Sequence, residues 1–278
     1  MTPLAWAALG ILTGLSALGC IIGFKKFVYF LSVGYGLSVV LIGAGIIVLS
    51  ATGYFLPTGD IFTYILASIL VLYGCRLSGF LIFREAKSAS YRKVAENVAG
   101  STEKKMPIFV KATIWIMVTI LYIMQTSPVF FRVANGIYGD QTSMIFEIVG
   151  ASVMVIGLLL ETISDLTKSA AKKSNPHRFC DKGVYKYVRC PNYLGEILFW
   201  TGVLVSSINA LVTWYQWVIA ILGYILIVYV MLSGAKRLEG RQDKNYGEDP
   251  EYQAYIAKTP LISRLIPIKS MKKWNWIK

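Results

Sequence analysis

Apolar runs recur along the whole chain, separated by short polar segments, and their lengths predict helices over 3–24, 27–51, 61–83, 106–130, 142–163, 194–209 and 212–233. A helix rises about 1.5 Å per residue, so roughly 20 apolar residues cross the ~30 Å hydrocarbon layer of a bilayer. Lys25-Lys26 and the neighbourhood of Asn209-Ala210 are the tight connections of two helical hairpins. The unbroken apolar stretch 194–233 has the length of two spans, not one. The fold class expected is all-α, a polytopic membrane protein with seven transmembrane helices. The first run begins at Thr2 with no basic residue before it and continues through Phe24. That is longer than the apolar part of a cleaved leader, so it reads as a retained helix.

Charge sets the orientation expected. Of the 278 residues 55% are hydrophobic and 15% charged, a balance that excludes a soluble globular domain and a disordered chain. The 28 Lys and Arg exceed the 15 Asp and Glu, for a formal charge of +13. With the N-terminus outside, Lys25 and Lys26, six basic residues in 84–105, seven in 164–193 and ten in 235–278 all face the cytosol. Arg132 alone falls in an external segment. Basic loops are retained in the cytosol, so the expected topology is N-terminus outside and C-terminus cytosolic, in the cell membrane. Spread over three loops and a tail, this charge suits anionic lipid and not a nucleic-acid groove. It also gives the cytosolic face an attraction for a multiply charged anionic cofactor. Cys20 and Cys75 lie in apolar runs, and Cys180 and Cys190 in a loop facing reducing cytosol, so no disulfide framework is expected. His177, the only histidine, and that cysteine pair do not make a zinc site. The chain reads as one domain, 1–278.

The richest polar segment is 161–196. Glu161 and Asp165 are four residues apart and Lys168 and Lys172 continue the spacing, which puts all four on one helical face. Carboxylates followed by lysines suit ribose hydroxyls and phosphate, or simply a solvated helix end. Gly183-Val-Tyr-Lys-Tyr-Val-Arg-Cys-Pro-Asn-Tyr-Leu-Gly-Glu196 follows, leading into an apolar helix. Pro191 suits the first turn, which sets Asn192 and Glu196 one turn apart on one side. A carboxylate at the mouth of a membrane helix is costly unless it is partnered or faces a cavity.

This stretch, with Glu161 and Asp165 upstream, resembles the membrane steroid 5α-reductase family, the 3-oxo-5α-steroid 4-dehydrogenases with their bacterial relatives. The resemblance takes in Tyr73-x-x-Arg76, Gln125-Thr-Ser-Pro128, Pro250-Glu-Tyr-Gln-Ala-Tyr255 and Ile266-Pro267, and so the C-terminal two thirds of the chain. It implies an oxidoreductase that reduces the conjugated C=C bond of a steroid-like or other lipophilic enone. It implies NADPH held by Asp165, Lys172, Arg178, Asn192 and Glu196, with Tyr252 and Tyr255 nearby, in a part covering about 161–278. Lys172 stands where steroid reductases tend to have Arg. Tyr73 matches the tyrosine that polarises the substrate carbonyl, a role in which the family pairs it with a glutamate of the second helix. Here 27–51 contains no acidic residue, and Glu147, Asp60 or Gln125 are the alternatives.

Isoprenylcysteine carboxyl methyltransferases are similar more loosely, in the arginine-proline-tyrosine-glycine skeleton. They use S-adenosylmethionine and usually carry His where this chain has Cys190. Methyl transfer to a membrane-embedded lipid or thiol is therefore the alternative enzyme. A non-catalytic lipid-binding or transport protein, compatible with Glu147, Gln125 and Arg76, is the alternative of another class.

Other features have plainer readings. Arg76 in an apolar run costs roughly 2.5–3.5 kcal/mol on insertion scales, so it faces the bundle interior or snorkels to the interface. Gly34-x-Gly36 and Gly43-x-Gly45 lack the strand and turn of a dinucleotide fold and predict close helix packing. The tail, 235–278, reads as a surface segment with Trp274 and Trp276 at headgroup level, as a cap over the cofactor, or both.

Overall fold

A computed structural model describes residues 1–87, 106–136 and 141–277. Of the basic loop 84–105, residues 88 onward lie outside the described residues, as do 137–140 and Lys278. All regular structure among the described residues is helical: α1 (Pro3–Cys20), α2 (Val33–Thr52), α3 (Ile61–Lys87), α4 (Ile108–Asn135), α5 (Gln141–Ser174), α6 (Pro191–Val205), α7 (Trp214–Tyr246) and α8 (Pro250–Lys258). Short 3-10 turns connect them at Ile21–Phe24, Phe27–Leu31, Gly183–Lys186 and Ile208–Ala210.

Six helices among the described residues are long and apolar enough to cross a membrane: Pro3–Phe24, Val33–Thr52, Ile61–Lys87, Ile108–Asn135, Gln141–Ser174 and Trp214–Tyr246. They make the chain an integral membrane protein, and exposed Ile116, Ile120, Ile145, Ile148, Ile156 and Leu159 suit lipid contact. The seventh expected segment, 194–209, forms the 15-residue α6 and the turn after it. At about 22 Å this helix is shorter than the hydrocarbon layer. Helices α5 and α7 run on past the expected ends at 163 and 233, because Ala, Leu, Lys, Arg, Glu and Gln among the charged residues sustain a helix after its apolar stripe has ended.

The chain divides into two compact units, one of Met1–Ala151 with Val203–Tyr224, the other of Ser152–Gly202 with Ile225–Lys278. In the first, α2 and α3 pack backbone to backbone. A Cβ on Gly36 would lie 2.7 Å from the Gly74 carbonyl oxygen, and one on Gly43 would lie 2.9 Å from that of Ala67, the close packing the glycine pairs predict. Ser78 Oγ donates to Val33 O at 2.9 Å across the same contact. In α4, Pro128 has no N–H to offer the carbonyl of Met124, and Ser127 Oγ donates to that oxygen instead at 2.8 Å. Asp60 starts α3 by accepting from Thr63 N at 2.9 Å.

Arg132 corrects the sequence reading. It belongs to α4 rather than to an external segment, and it is 0% exposed. Its Nε and Nη2 donate to Glu147 Oε1 at 2.9 and 2.6 Å, Nη2 also to Asp60 Oδ2 at 2.8 Å, and Nη1 to Thr63 Oγ1 at 2.6 Å. Two carboxylates and a hydroxyl meet all three nitrogens, so the helix tolerates the charge. Burial works against the Asp60 charge, but the bonds from Arg132 and Thr63 outweigh it and hold that carboxyl below its usual range.

Candidate functional site

In the second unit, α5 and α6 touch at two glycines. A Cβ on Gly195 would lie 2.8 Å from both Glu161 N and Gly157 O, so the glycine before Glu196 lets α6 lie against the turn carrying Glu161. The connection from α5 back to α6 begins its 3-10 turn at Gly183, whose φ of 55° is left-handed. It ends at Pro191, the first residue of α6. The tail closes over this connection: Arg189 N donates to Pro260 O at 2.9 Å and Cys190 N to Leu261 O at 2.8 Å. Leu261, Ile262, Met271 and Ile277 then pack around Cys190 and Leu238. Lys236 Nζ donates to Trp274 O at 3.0 Å and Ile277 O at 2.6 Å, which holds the tail's end to α7.

All the residues expected to hold the cofactor belong to this unit. Glu161 and Glu196 are buried, and Asp165 is half-buried and close enough to Tyr185 to act on it: burial, then the Asp165 charge, pushes the Tyr185 phenol well up. Asn192 Oδ1 is shielded from solvent and has no hydrogen-bond partner. Tyr252 OH donates to Asp243 Oδ1 at 2.8 Å and Tyr255 OH to Tyr185 O at 2.7 Å. Phe179 lies 5.3 Å from both the Tyr252 and Tyr255 rings, so α8 is anchored by an aromatic cluster. Burial raises both of these phenols, which therefore remain protonated donors at neutral pH.

The two expected phosphate ligands are engaged with protein groups. Lys172 Nζ donates to Pro176 O at 3.0 Å, Arg178 O at 2.6 Å and Tyr246 OH at 2.8 Å, closing the end of α5 with all three of its donors. Arg178 pairs with Glu251 at 2.5 Å and Asp181 at 2.9 Å, and those partners, Asp181 first, raise its guanidinium further.

Arg189 is the residue that sequence reasoning passed over, although it sits in the quoted stretch before Cys190. It is 1% exposed. Its Nη2 donates to Lys269 O and, at 3.3 Å, to Glu239 Oε1 of α7, while Glu239 Oε2 accepts from Met271 N at 3.0 Å. Its Nε and Nη1 are buried and make no hydrogen bond of good geometry, the Tyr252 phenol being close enough to feel the guanidinium, and Tyr185 OH is likewise buried without a hydrogen bond. The signal available beforehand was a lone arginine between Val188 and Cys190, with Glu239 at the end of an apolar helix. This unit therefore holds a guanidinium, a phenol and an amide oxygen with unused bonding capacity, the phenol within reach of the Asp165 charge.

Tyr73 belongs to the other unit, where it is 0% exposed. Its hydroxyl lies 3.3 Å from that of Tyr35 on α2, and the Tyr35 ring stacks at 4.7 Å on Tyr122 of α4. Of the three candidates to work with Tyr73, Glu147 and Asp60 are committed to Arg132. Gln125 is buried with neither amide atom hydrogen-bonded. Arg76 is half-buried, its guanidinium 5.6 Å from the Phe80 ring one turn along α3. Among the described residues no three His, Cys, Asp or Glu side chains gather as a metal's ligands would.

No solved structure matches the chain. A protein of Schizosaccharomyces pombe described as uncharacterized is 27% identical over 96 residues, 34% of this chain, and the chain spans only a third of that relative's length. Residues 33–259, which include Tyr73, Arg189 and all the residues expected to hold the cofactor, match a family described as "Protein of unknown function (DUF1295)", and the chain belongs to that family.

Proposed function

We propose that the protein is an NADPH-dependent membrane oxidoreductase of the steroid 5α-reductase kind, reducing the conjugated C=C bond of a lipophilic enone. The observation that carries this reading is the set of buried polar atoms with unused bonding capacity in one unit: Arg189 Nε and Nη1, Tyr185 OH and Asn192 Oδ1. Arg189 would hold a phosphate, Asn192 the nicotinamide carboxamide, and Asp165 and Glu196 ribose hydroxyls. When bound, the dinucleotide supplies the hydride. The chain's own part is to orient it, to exclude water with the tail from Thr259 to Ile277, and to offer Tyr73 to the substrate carbonyl.

The same reading has seven crossings, with α6 as the short one, the N-terminus outside and the cofactor side in the cytosol. Twenty-five of the 28 basic residues then lie on the cytosolic side. The whole chain, 1–278, works as one reductase domain.

One observation favours S-adenosylmethionine instead: Lys172 and Arg178 are tied to protein groups, and that cofactor has no phosphate to bind. Calorimetric titration of the detergent-purified protein with each cofactor, repeated on Asn192→Ala, decides between them. Saturable NADPH binding that the variant loses upholds the reductase. Binding of S-adenosylmethionine alone replaces it with a methyltransferase, and binding of neither by folded protein favours transport.

A further inference from the structure

We propose that the loop 263–267 is a lipid-binding foot: it seats Leu265 and Ile266 in an anionic phospholipid surface and thereby holds the tail closed over Arg189. The same tail buries Leu261, Ile262, Met271 and Ile277 against Cys190, Ala235 and Leu238. Leu265 is nevertheless 94% exposed and Ile266 67%. They stand at the tip of a loop whose neck is closed by Leu261 N, which donates to Ile268 O at 2.8 Å. Within the loop Ile268 N donates to Ile266 O at 2.8 Å and Leu265 N to Ser263 Oγ at 3.1 Å, so backbone bonds fix the tip in its exposed position. Both ends of the loop also hold Arg189. Pro260 O accepts from its N–H at 2.9 Å, and Lys269 O accepts from its Nη2. Fixing the tip therefore fixes both bonds to the buried arginine.

Depth and charge say what covers the tip. Helix α7 carries no charge from Trp214 to Ala235, about 33 Å of rise, and turns basic at Lys236 and Arg237. The tail packs on Leu232, Ala235 and Leu238, which straddle that change, so the loop leaves the protein at headgroup level. Trp276, stacked on Trp274 at 5.4 Å, and Tyr187 are exposed, and both residue types favour the membrane interface. The Arg264 guanidinium lies 5.2 Å from the Tyr187 ring, which joins the loop to the connection before α6. Residues 259–278 contain five basic residues and no acidic one, and Arg264, Lys269 and Lys273 are exposed. An apolar tip ringed by cations matches acyl chains beneath anionic phosphates.

The test places a spin label on Leu265→Cys in the full chain, with Cys75→Ser because the other three cysteines are buried. The protein is set in nanodiscs of phosphatidylcholine with or without phosphatidylglycerol. In anionic discs the 265 label should collide with oxygen more than with a water-soluble nickel chelate. A label on Gln253→Cys, whose α8 begins beyond the far end of α7, should stay aqueous in both discs. Arg264→Gln and Lys269→Gln should each raise nickel access to the 265 label about 5-fold. In a chain keeping only Cys190, alkylation at pH 8 should be about 5-fold slower in anionic discs than in phosphatidylcholine, and Leu265→Asp should erase the difference. An aqueous 265 label in both discs overturns the foot, and equal depth in both removes the anionic lipid from it. Shielding from both reagents with spin coupling between chains makes a second copy the cover and overturns the lipid. Lipid depth with unchanged Cys190 reactivity refutes the closure. No cofactor enters these measurements, so their failure leaves the reductase reading as it stands.

Discussion

Among the described residues each unit of the protein buries one arginine, and the two are treated differently. Arg132 lies among apolar helices, and each of its three nitrogens finds an acceptor at 2.6–2.9 Å, from Glu147, Asp60 or Thr63. Arg189 lies between the α6 start and the tail, where Nη2 alone makes hydrogen bonds of good geometry, its carboxylate partner is at 3.3 Å, and the Tyr252 phenol is its other near neighbour. A fully satisfied buried charge fastens helices together, whereas a half-satisfied one costs stability until something supplies the missing acceptors. The difference marks Arg132 as architecture and, on the proposed reading, Arg189 as the residue that a bound dinucleotide would complete.

The largest test of that contrast is Arg132→Gln, which leaves Glu147 buried without its cation and should cost about 3–5 kcal/mol. Thermal unfolding in detergent measures it. A loss below 1 kcal/mol would mean that the network is incidental and the contrast empty. Arg189→Gln should cost less, about 1–3 kcal/mol, because Glu239 still accepts from Met271 N. It should weaken NADPH binding about 10- to 100-fold and abolish the stabilisation that NADPH gives the wild type. Arg132→Gln protein that remains folded should bind NADPH normally, and equal loss of binding in both variants would break the comparison.

A glycine pair in each unit sharpens it. Alanine at Gly195 places a Cβ 2.8 Å from backbone atoms of Glu161 and Gly157, and alanine at Gly36 places one 2.7 Å from Gly74 O. Each should cost about 1–3 kcal/mol by overpacking. Gly195→Ala should also lower NADPH affinity, since α6 carries Asn192 and Glu196, whereas Gly36→Ala should leave it unchanged and lower the kcat of the proposed reduction through Tyr73 on α3. Calorimetry on both variants separates the two effects.

The sequence made the helices legible because apolar length is a one-dimensional signal. The expected spans 61–83 and 106–130 correspond to Ile61–Lys87 and Ile108–Asn135, and the turn foreseen near Asn209-Ala210 is the 3-10 turn Ile208–Ala210. Helix ends were less legible, since α5 and α7 continue through charged sequence to Ser174 and Tyr246. What sequence could not give was pairing across the fold. Arg132 looked external because hydropathy counts its charge but not Glu147, fifteen residues away, which neutralises it. Lys172 looked like a phosphate ligand because its own helix carries the pattern, yet Tyr246, on another helix, occupies its ammonium. Tyr35 was one of 17 tyrosines until the structure brought it to Tyr73.

The smallest effect tests how firmly the tail closes over Arg189. Cys190 is its neighbour, 0% exposed, and its N–H is held by Leu261 O. Burial pushes its thiol up to about 12, against about 8.5 for a free cysteine. Only the thiolate reacts with a maleimide. A raised pKa means that the protonated thiol dominates throughout pH 7–10, so the thiolate fraction grows tenfold with each pH unit and reaches no plateau. A free cysteine levels off once the pH passes about 9.5. In a chain with Cys20, Cys75 and Cys180 changed to Ser, alkylation of Cys190 should therefore be slow at pH 8 and climb without levelling to pH 10. Glu239→Ala frees Met271 N and should accelerate the reaction and restore the plateau, because the tail then opens before the thiol ionises. Ordinary cysteine behaviour in the unaltered tail would mean that Arg189 is solvated in solution, and its difference from Arg132 would disappear.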